Sequence, residues 1–108
     1  MPFDSLYHEE EPTREAIDAG SGPVLLEFGA NWCGHCQALA PAVEQLLSEH
    51  PEVQHVRIAD GRGKRLGRSF RVKLWPTLIL LRDGEVIEQL VRPTPAQARQ
   101  GFRKLLAS

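Results

Sequence analysis

The sequence predicts one α/β domain with a central mixed sheet of four to five strands and helices on both faces. Short apolar runs alternate with segments of helical periodicity, which favours parallel strands joined by helices. An Asp-Gly turn at 83–84 joins two of the apolar runs, which favours an antiparallel pair. Because 108 residues suffice for a single hydrophobic core, we treat 1–108 as one domain.

The first half of the chain leaves room for a short N-terminal strand and then predicts a helix over 12–17. Residues 24–28 form an apolar run bounded by Gly and Pro, which is typical of a buried parallel strand. From 33 to 49, Leu and Val recur at helical spacing and predict a long helix. Pro41 removes one hydrogen bond from this helix and is expected to bend it.

The second half predicts a strand, a short helix, a hairpin and a final helix. The strand spans 53–59 and the short helix spans 64–70. The strands of the hairpin span 77–81 and 86–91 around the Asp-Gly turn. Thr94-Pro95 has the form of a capping residue followed by Pro at the first helical position, so the last helix is expected to begin there.

Composition and charge exclude several functional classes. The chain is 42% hydrophobic and 25% charged, with a formal net charge of -1. This balance gives no electrostatic reason to expect nucleic acid or an anionic membrane as a partner. The sequence shows neither an apolar stretch of about 18 residues nor a secretory signal. We therefore expect a cytoplasmic monomer.

The most informative motif is Cys33-Gly34-His35-Cys36, preceded by Trp32 at the start of the long helix. Residues at i and i+3 of a helix are neighbours, so the two thiols can reach each other and form a disulfide. The helix N-terminus stabilises a thiolate, which is the reactive form of cysteine. These are the chain's two cysteines, so a redox or metal role is favoured over a structural disulfide.

Other roles for the two cysteines stay open at this point. They can be small core residues, half of a metal site, or ligands of an iron–sulfur cluster shared by two chains. Zinc needs four ligands, and His8, His50 and His55 lack a matching spacing. We therefore predict no metal site.

Four motifs resemble thioredoxin in order and spacing over about residues 20–108. They are Cys33-Gly34-His35-Cys36 after a strand, Pro41 in the following helix, Trp75-Pro76-Thr77 at a strand start, and 83–85 in the hairpin turn. The resemblance implies the thioredoxin fold and a thiol–disulfide oxidoreductase that acts on protein disulfides, most simply as a reductase. An alternative is a partner-binding or chaperone-like module whose cysteines are regulatory or vestigial.

The resemblance also assigns roles to the two thiols. Cys33, expected to be exposed at the helix tip, would attack the substrate disulfide. Cys36, expected to be more buried, would resolve the mixed disulfide that results. Electrons would come from a thiol donor or a reductase, and no cofactor is needed beyond the Cys33–Cys36 disulfide.

Glu27 lies within an apolar strand, six residues before Cys33. Burial is expected to raise the pKa of this carboxyl group, because the charged form is costly in an apolar environment. The family usually has Asp at this position, and the resemblance implies a proton shuttle for Cys36. The alternative is a carboxylate that reaches solvent at the rim of the strand.

Gly34 and His35 are expected to tune the redox balance. His35 replaces the proline usual in thioredoxin and gives the Cys-Gly-His-Cys form typical of protein disulfide isomerases. An imidazolium beside Cys33 stabilises the thiolate and makes the disulfide more oxidising. We therefore predict a potential between those of the two families, unless His35 is merely a tolerated exposed residue.

Five residues are expected to line the substrate groove. The resemblance implies a cis peptide bond before Pro76, opposite the cysteines. Trp75 would offer its backbone N–H and C=O to an extended substrate chain, as an added strand does. Trp32 and Trp75 form an aromatic lip, or Trp75 covers core. Thr77 follows Pro76, and Arg92 is expected either to narrow the groove or to favour acidic substrates.

Two features depart from the usual pattern. Gly29 stands where thioredoxin usually has tryptophan, and Arg92-Pro93 stand where a glycine is expected. These changes suggest substrates and a reductase other than those of a general thioredoxin. Seven basic residues against one acid within 57–73 predict a solvated surface or a docking site for an acidic partner protein.

Overall fold

Helices and strands alternate along the chain in the computed structural model, which describes residues 3–108. Their bounds are α1 Arg14–Asp18, β1 Pro23–Gly29, α2 Gly34–Glu49, β2 Gln54–Ala59, α3 Arg65–Ser69, β3 Thr77–Arg82, β4 Glu85–Val91 and α4 Pro95–Leu106. The predicted helices and the predicted strands from β1 onward are present with small differences at their ends. Residues 1 and 2 lie outside the described residues.

The strands form a mixed sheet in the order β2-β1-β3-β4. β1 runs parallel to β2 and antiparallel to β3, and β3 pairs antiparallel with β4. The N-terminal strand is reduced to one parallel bridge between His8 and Ile58. The described residues therefore form a four-stranded sheet, the smaller of the two sizes expected.

Alternation along the central strands separates the core into two layers. Leu25 of β1 packs with α2 and α4 on one face, and Leu26 packs with α3 on the other. The same alternation holds in β3, where Leu80 faces α2 and α4 whereas Ile79 faces α3. A sheet covered on both faces explains why these strands are apolar without interruption.

Local sequence signals account for the turns and helix starts. Asp83 and Gly84 both have positive φ, 52° and 80°, which is the conformation of the tight turn that an Asp-Gly pair favours. Thr94 caps α4 in a capping box with Gln97, and Pro95 is the first residue of that helix. α2 continues through Pro41.

The end of β1 and the start of α2 position the candidate site. Cys33 caps α2 and follows closely on β1. In the parallel pairing, Glu27 of β1 lies beside Arg57 of β2. Glu27 shares a strand face with Leu25, two residues earlier, so its side chain lies on the α2 side of the sheet. No helix among residues 3–108 combines the length and apolar character needed to cross a membrane.

Candidate active site

The two cysteines lie together at the N-terminus of α2, and both are free thiols. Cys33 is the N-cap residue, and its Sγ accepts a hydrogen bond of 3.3 Å from the backbone N–H of Cys36. Cys33 is 6% exposed and Cys36 is 1% exposed. The expectation that Cys36 is the more buried is confirmed. The expectation of an exposed Cys33 is wrong, because a capping side chain turns back toward its own helix.

Burial dominates the ionisation of Cys36. It raises the pKa of the thiol to about 11, and the neighbouring Cys33 adds to this effect through a hydrogen bond. The backbone of Ala30 and the side chain of Tyr7 act in the opposite direction by hydrogen bonding to Cys36. Cys36 is therefore a neutral thiol at pH 7, and it must lose a proton before it can act as a nucleophile.

Glu27 is completely buried and accepts hydrogen bonds at both carboxylate oxygens. Oε1 accepts from Nε2 of His55 at 2.9 Å and from Nε of Arg57 at 3.1 Å. Oε2 accepts from the hydroxyl of Tyr7 at 2.6 Å and from Nη2 of Arg57 at 3.0 Å. Four donors thus saturate the carboxylate, and none of them belongs to Cys36.

The surroundings of Glu27 overturn two expectations. Burial alone would raise the pKa of Glu27, but the hydrogen bonds from His55 and Arg57 and the charge of Arg57 outweigh burial and lower it. The carboxylate does not reach solvent at the rim of the strand either. Glu27 is therefore a stable buried anion and a weak base.

Arg57 uses all its N–H groups inside the protein. Nη1 donates to the carbonyl oxygens of Asp4 and Ser5, and Nη2 also donates to the hydroxyl of Tyr7 at 3.3 Å. The guanidinium carbon lies 4.1 Å from the centre of the Tyr7 ring. The prediction that Arg57 forms part of a basic surface is wrong, since this residue is buried and paired with Glu27.

Tyr7 is a site residue that sequence reasoning missed. Its backbone N–H donates to Oδ1 of Asn31 at 2.9 Å, and Nδ2 of Asn31 donates back to its carbonyl at 3.2 Å. This pair holds the N-terminal segment beside the cysteines. A Cβ atom at Gly29 would lie 2.6 Å from Sγ of Cys36 and 2.7 Å from Cζ of Tyr7. Gly29 therefore leaves the space in which the tyrosine ring meets Cys36.

The wall opposite the cysteines contains a cis peptide bond between Trp75 and Pro76. The carbonyl of Trp75 accepts from Nε of Arg92 at 2.8 Å, and the backbone N–H of Arg92 donates to the carbonyl of Pro76 at 2.9 Å. The carbonyl of Trp75 thus has one of its two lone pairs occupied by Arg92, and its pairing with a substrate chain stays a prediction. Of the two roles considered for Arg92, the geometry favours narrowing of the groove.

Aromatic residues border the same groove. The rings of Trp32 and Trp75 meet edge to face with centroids 5.6 Å apart, and Trp32 is 77% exposed. The indole N–H of Trp75 donates to Oδ2 of Asp60 at 2.9 Å, which fixes its ring. Thr77 is buried, and its hydroxyl donates to the carbonyl of Leu74 at 2.6 Å. The expectation that Thr77 lines the substrate groove is therefore wrong.

Gly34 and His35 lie on the exposed side of the motif. A Cβ atom at Gly34 would meet no heavy atom within 4 Å, so packing does not require glycine there. His35 lines a shallow depression of about 160 Å³ together with Pro76, Arg92 and Pro93. The histidine is therefore placed where a substrate bound against Pro76 would pass.

Within residues 3–108 there is no group of three or more His, Cys, Asp or Glu side chains able to hold a metal ion. Two free thiols at a helix N-terminus, with a buried acid behind them and a cis-proline wall opposite, define a dithiol–disulfide oxidoreductase.

Comparison with known proteins identifies the family. The family model for thioredoxin matches residues 5–104, so the chain belongs to the thioredoxin family. Thioredoxin of Bacillus subtilis is 36% identical over 86 residues, which cover 79% of this chain and 83% of that protein. Thioredoxin of Chlamydia trachomatis is 39% identical over 76 residues, which cover 70% and 74% of the two chains.

A solved structure gives the same result. Thioredoxin 2 of Pseudomonas aeruginosa in its reduced form superposes with a TM-score of 0.84 and is 47% identical, covering 94% of this chain and 95% of that one. The predicted fold is confirmed, and the chain is a protein-disulfide oxidoreductase.

Proposed function

We propose that the protein reduces disulfides of protein substrates, with Cys33 as the attacking thiol and Cys36 as the resolving thiol. Cys33 attacks one sulfur of the substrate disulfide, forms a mixed disulfide and releases the other sulfur as a thiol. Cys36 then attacks Cys33, which releases the second substrate thiol and leaves the Cys33–Cys36 disulfide. A thiol donor or a reductase returns this disulfide to the dithiol.

The observation that carries this assignment is the position of Cys33 as the cap of α2. Its Sγ lies against the N–H of Cys36, so a thiolate formed there faces the positive end of the helix. Cys36 lies one turn further in and keeps its proton at pH 7, as a thiol that acts second does. Cys33 also packs in one cluster with Trp75, the residue before the cis-proline.

Substrate binding is proposed along Trp75 and Pro76. The backbone N–H of Trp75 has no partner among the described residues and can pair with a substrate carbonyl. Trp32 adds a large exposed apolar surface beside Cys33. We further infer a cytoplasmic location, because a reductase works where thiols are kept reduced.

Insulin reduction by dithiothreitol tests the proposal. The parent protein is expected to accelerate the precipitation of reduced insulin chains, whereas Cys33→Ser is expected to show the background rate. Ser69→Ala serves as the control, since it removes a hydrogen-bonded hydroxyl at the end of α3. A parent protein that shows no acceleration would refute the reductase and favour the partner-binding alternative.

A basic face next to the groove supports an acidic partner or substrate. Its exposed cations have no ion pair among the described residues; they are Arg62, Arg65, Arg68, Arg71 and Lys73. Three of them line a depression of about 410 Å³ with Lys64 and Asp60. Asp60 also accepts the indole N–H of Trp75, so the basic face adjoins the proposed substrate groove.

Association kinetics with an acidic disulfide peptide test this second part. Charge reversal by Arg68→Glu with Lys73→Glu is expected to lower the association rate at low salt by about tenfold. The parent rate is expected to fall as salt is added. Arg99→Glu with Arg103→Glu makes the same charge change on α4 and is the matched control. Equal rates for the two double variants would argue against docking on the basic face.

A further inference from the structure

We propose that the hydroxyl of Tyr7 is the hydrogen-bond donor that stabilises the Cys36 thiolate while Cys36 resolves the mixed disulfide. In this account the hydroxyl proton points to Glu27 in the resting protein and turns to Cys36 when Cys36 ionises. The inference rests on the proposed roles of Cys33 and Cys36. In this mechanism Tyr7 stabilises the Cys36 thiolate by hydrogen bonding, and Cys36 does not transfer its proton directly to Glu27.

Tyr7 is held where it can reach both partners. Its ring is buried and packs in one cluster with Cys33 and Cys36. Its hydroxyl donates to Oε2 of Glu27 at 2.6 Å. A Cβ atom at Gly29 would lie 2.6 Å from Sγ of Cys36 and 2.7 Å from Cζ of Tyr7, so the sulfur and the phenol end of the ring both border Gly29. The phenol end of Tyr7 therefore has both the carboxylate of Glu27 and the resolving sulfur as neighbours.

Glu27 is poorly suited to be the proton acceptor. Its oxygens already accept four hydrogen bonds, and its pKa is lowered by the hydrogen bonds and charge that outweigh burial. If Tyr7 turns away, His55 and the two donors of Arg57 still solvate the carboxylate. The hydroxyl can thus leave Glu27 at modest cost.

Tyr7 itself stays protonated throughout. Burial raises the pKa of its hydroxyl, and the negative charge of Glu27 raises it further. A phenol that keeps its proton is a permanent donor. Before ionisation, Cys36 can donate its S–H to the phenol oxygen; afterwards, the thiolate can only accept, which favours rotation of the hydroxyl toward sulfur.

The resolving step balances without a further reactant. The Cys36 sulfur forms a bond to the Cys33 sulfur, and the bond between Cys33 and the substrate sulfur breaks. The cysteine pair is oxidised to the disulfide and the substrate sulfur is reduced. Cys36 loses its proton to water before it attacks, and a released substrate thiolate of ordinary pKa takes up a proton from water, so Tyr7 and Glu27 finish in their starting protonation states.

Other charged groups act on Cys36 from each neighbouring element. Cys33 faces it from the same helix, Arg57 from β2 and Tyr7 from the N-terminal segment, with Glu27 of β1 behind Tyr7. In the resolving step Cys33 is already in a disulfide and carries no charge. The pH dependence of that step therefore reports Cys36 in the field of Tyr7, Glu27 and Arg57.

Reaction with DTNB separates the two steps in one experiment. Attack by Cys33 releases one coloured thiolate, and resolution by Cys36 releases the second. Tyr7→Phe keeps the ring and removes the hydroxyl, so the first phase is expected to stay unchanged. The second phase is expected to slow about tenfold at pH 7, with its midpoint moved to higher pH, since a hydrogen bond to a charged group is lost. Ser69→Ala is the control for loss of a hydrogen-bonded hydroxyl elsewhere.

Replacement of tyrosine by fluorotyrosine provides a test that preserves packing. Tyr7 is the chain's one tyrosine, so biosynthetic labelling changes this position alone. A more acidic hydroxyl is a better donor, so the second phase is expected to accelerate and its midpoint to move to lower pH. A second phase with parent rate and pH profile in either protein would overturn the role of Tyr7. Failure of the proposed function has a different signature, namely absence of the first phase in Cys36→Ser.

Discussion

The buried pair of Glu27 and Arg57 makes a strong and specific prediction about stability. Arg57→Met removes two of the four donors to a carboxylate that is fully buried. Leaving one partner of a buried ion pair alone costs about 3–5 kcal/mol. With a urea dependence of about 1.5 kcal/mol per molar, a loss of 3 kcal/mol lowers the midpoint of unfolding by about 2 M. Urea titration followed by tryptophan fluorescence at pH 7 measures this change.

The sign of the pH dependence makes the test sharper. The folded parent lowers the pKa of Glu27, so this group contributes stability above the ordinary carboxyl pKa, and that contribution is lost as pH falls below it. Without Arg57, burial is expected to raise the pKa of Glu27, so the variant loses stability as pH rises. The difference between the two proteins should therefore be large at pH 7 and small near pH 4.

A charge-free control isolates the unpaired anion. Glu27→Gln in the Arg57→Met background removes the charge and keeps the shape of the side chain. This double variant is expected to recover part of the lost stability at pH 7 and to show little pH dependence between 4 and 7. A free-energy loss for Arg57→Met that is below about 1 kcal/mol, or the same at pH 4 and pH 7, would show that Arg57 does not stabilise a buried anion at Glu27.

Two further predictions concern Gly29 and His35. Gly29→Ala places a Cβ atom 2.6 Å from Sγ of Cys36. We expect this change to lower the free energy of unfolding, measured by thermal denaturation, by about 1–3 kcal/mol. An unchanged Tm would contradict the close approach of Tyr7 and Cys36. The redox potential of the parent, measured against glutathione, should lie between about -270 mV and about -180 mV, the values for thioredoxin and protein disulfide isomerase. His35→Pro should move it toward the more negative value, and a parent at or below about -270 mV would contradict a tuning role for His35.

Local signals were sufficient for the fold. Apolar runs predicted β1 and β3, because strands covered on both faces are apolar without interruption. The Asp83-Gly84 turn predicted the β3–β4 hairpin. The N-terminal strand was overestimated, since pairing there is limited to one bridge at His8. The cysteine pair was also predictable, because both residues lie in one short motif at a helix start.

The environment of Glu27 was not predictable from local sequence. Its partners Tyr7, His55 and Arg57 come from the N-terminal segment and from β2, so only the register of the sheet brings them together. One signal was present: Arg57 stands between apolar neighbours in β2, where a charged residue needs a partner. The signal for Tyr7 was weaker. Gly29 has no side chain, which leaves space beside Cys36 for a ring from another segment of the chain.

Trapping of the mixed disulfide shows which cysteine attacks the substrate. Cys36→Ser is expected to accumulate a covalent adduct with a disulfide-containing protein substrate, attached through Cys33 and released by dithiothreitol. Intact mass and peptide mapping identify the adduct and its sulfur. We expect this adduct on Cys33, whereas the parent protein releases the reduced substrate. No adduct with Cys36→Ser, or an equal amount of adduct on Cys36 in Cys33→Ser, would contradict the assignment of Cys33 as the attacking thiol and Cys36 as the resolving thiol.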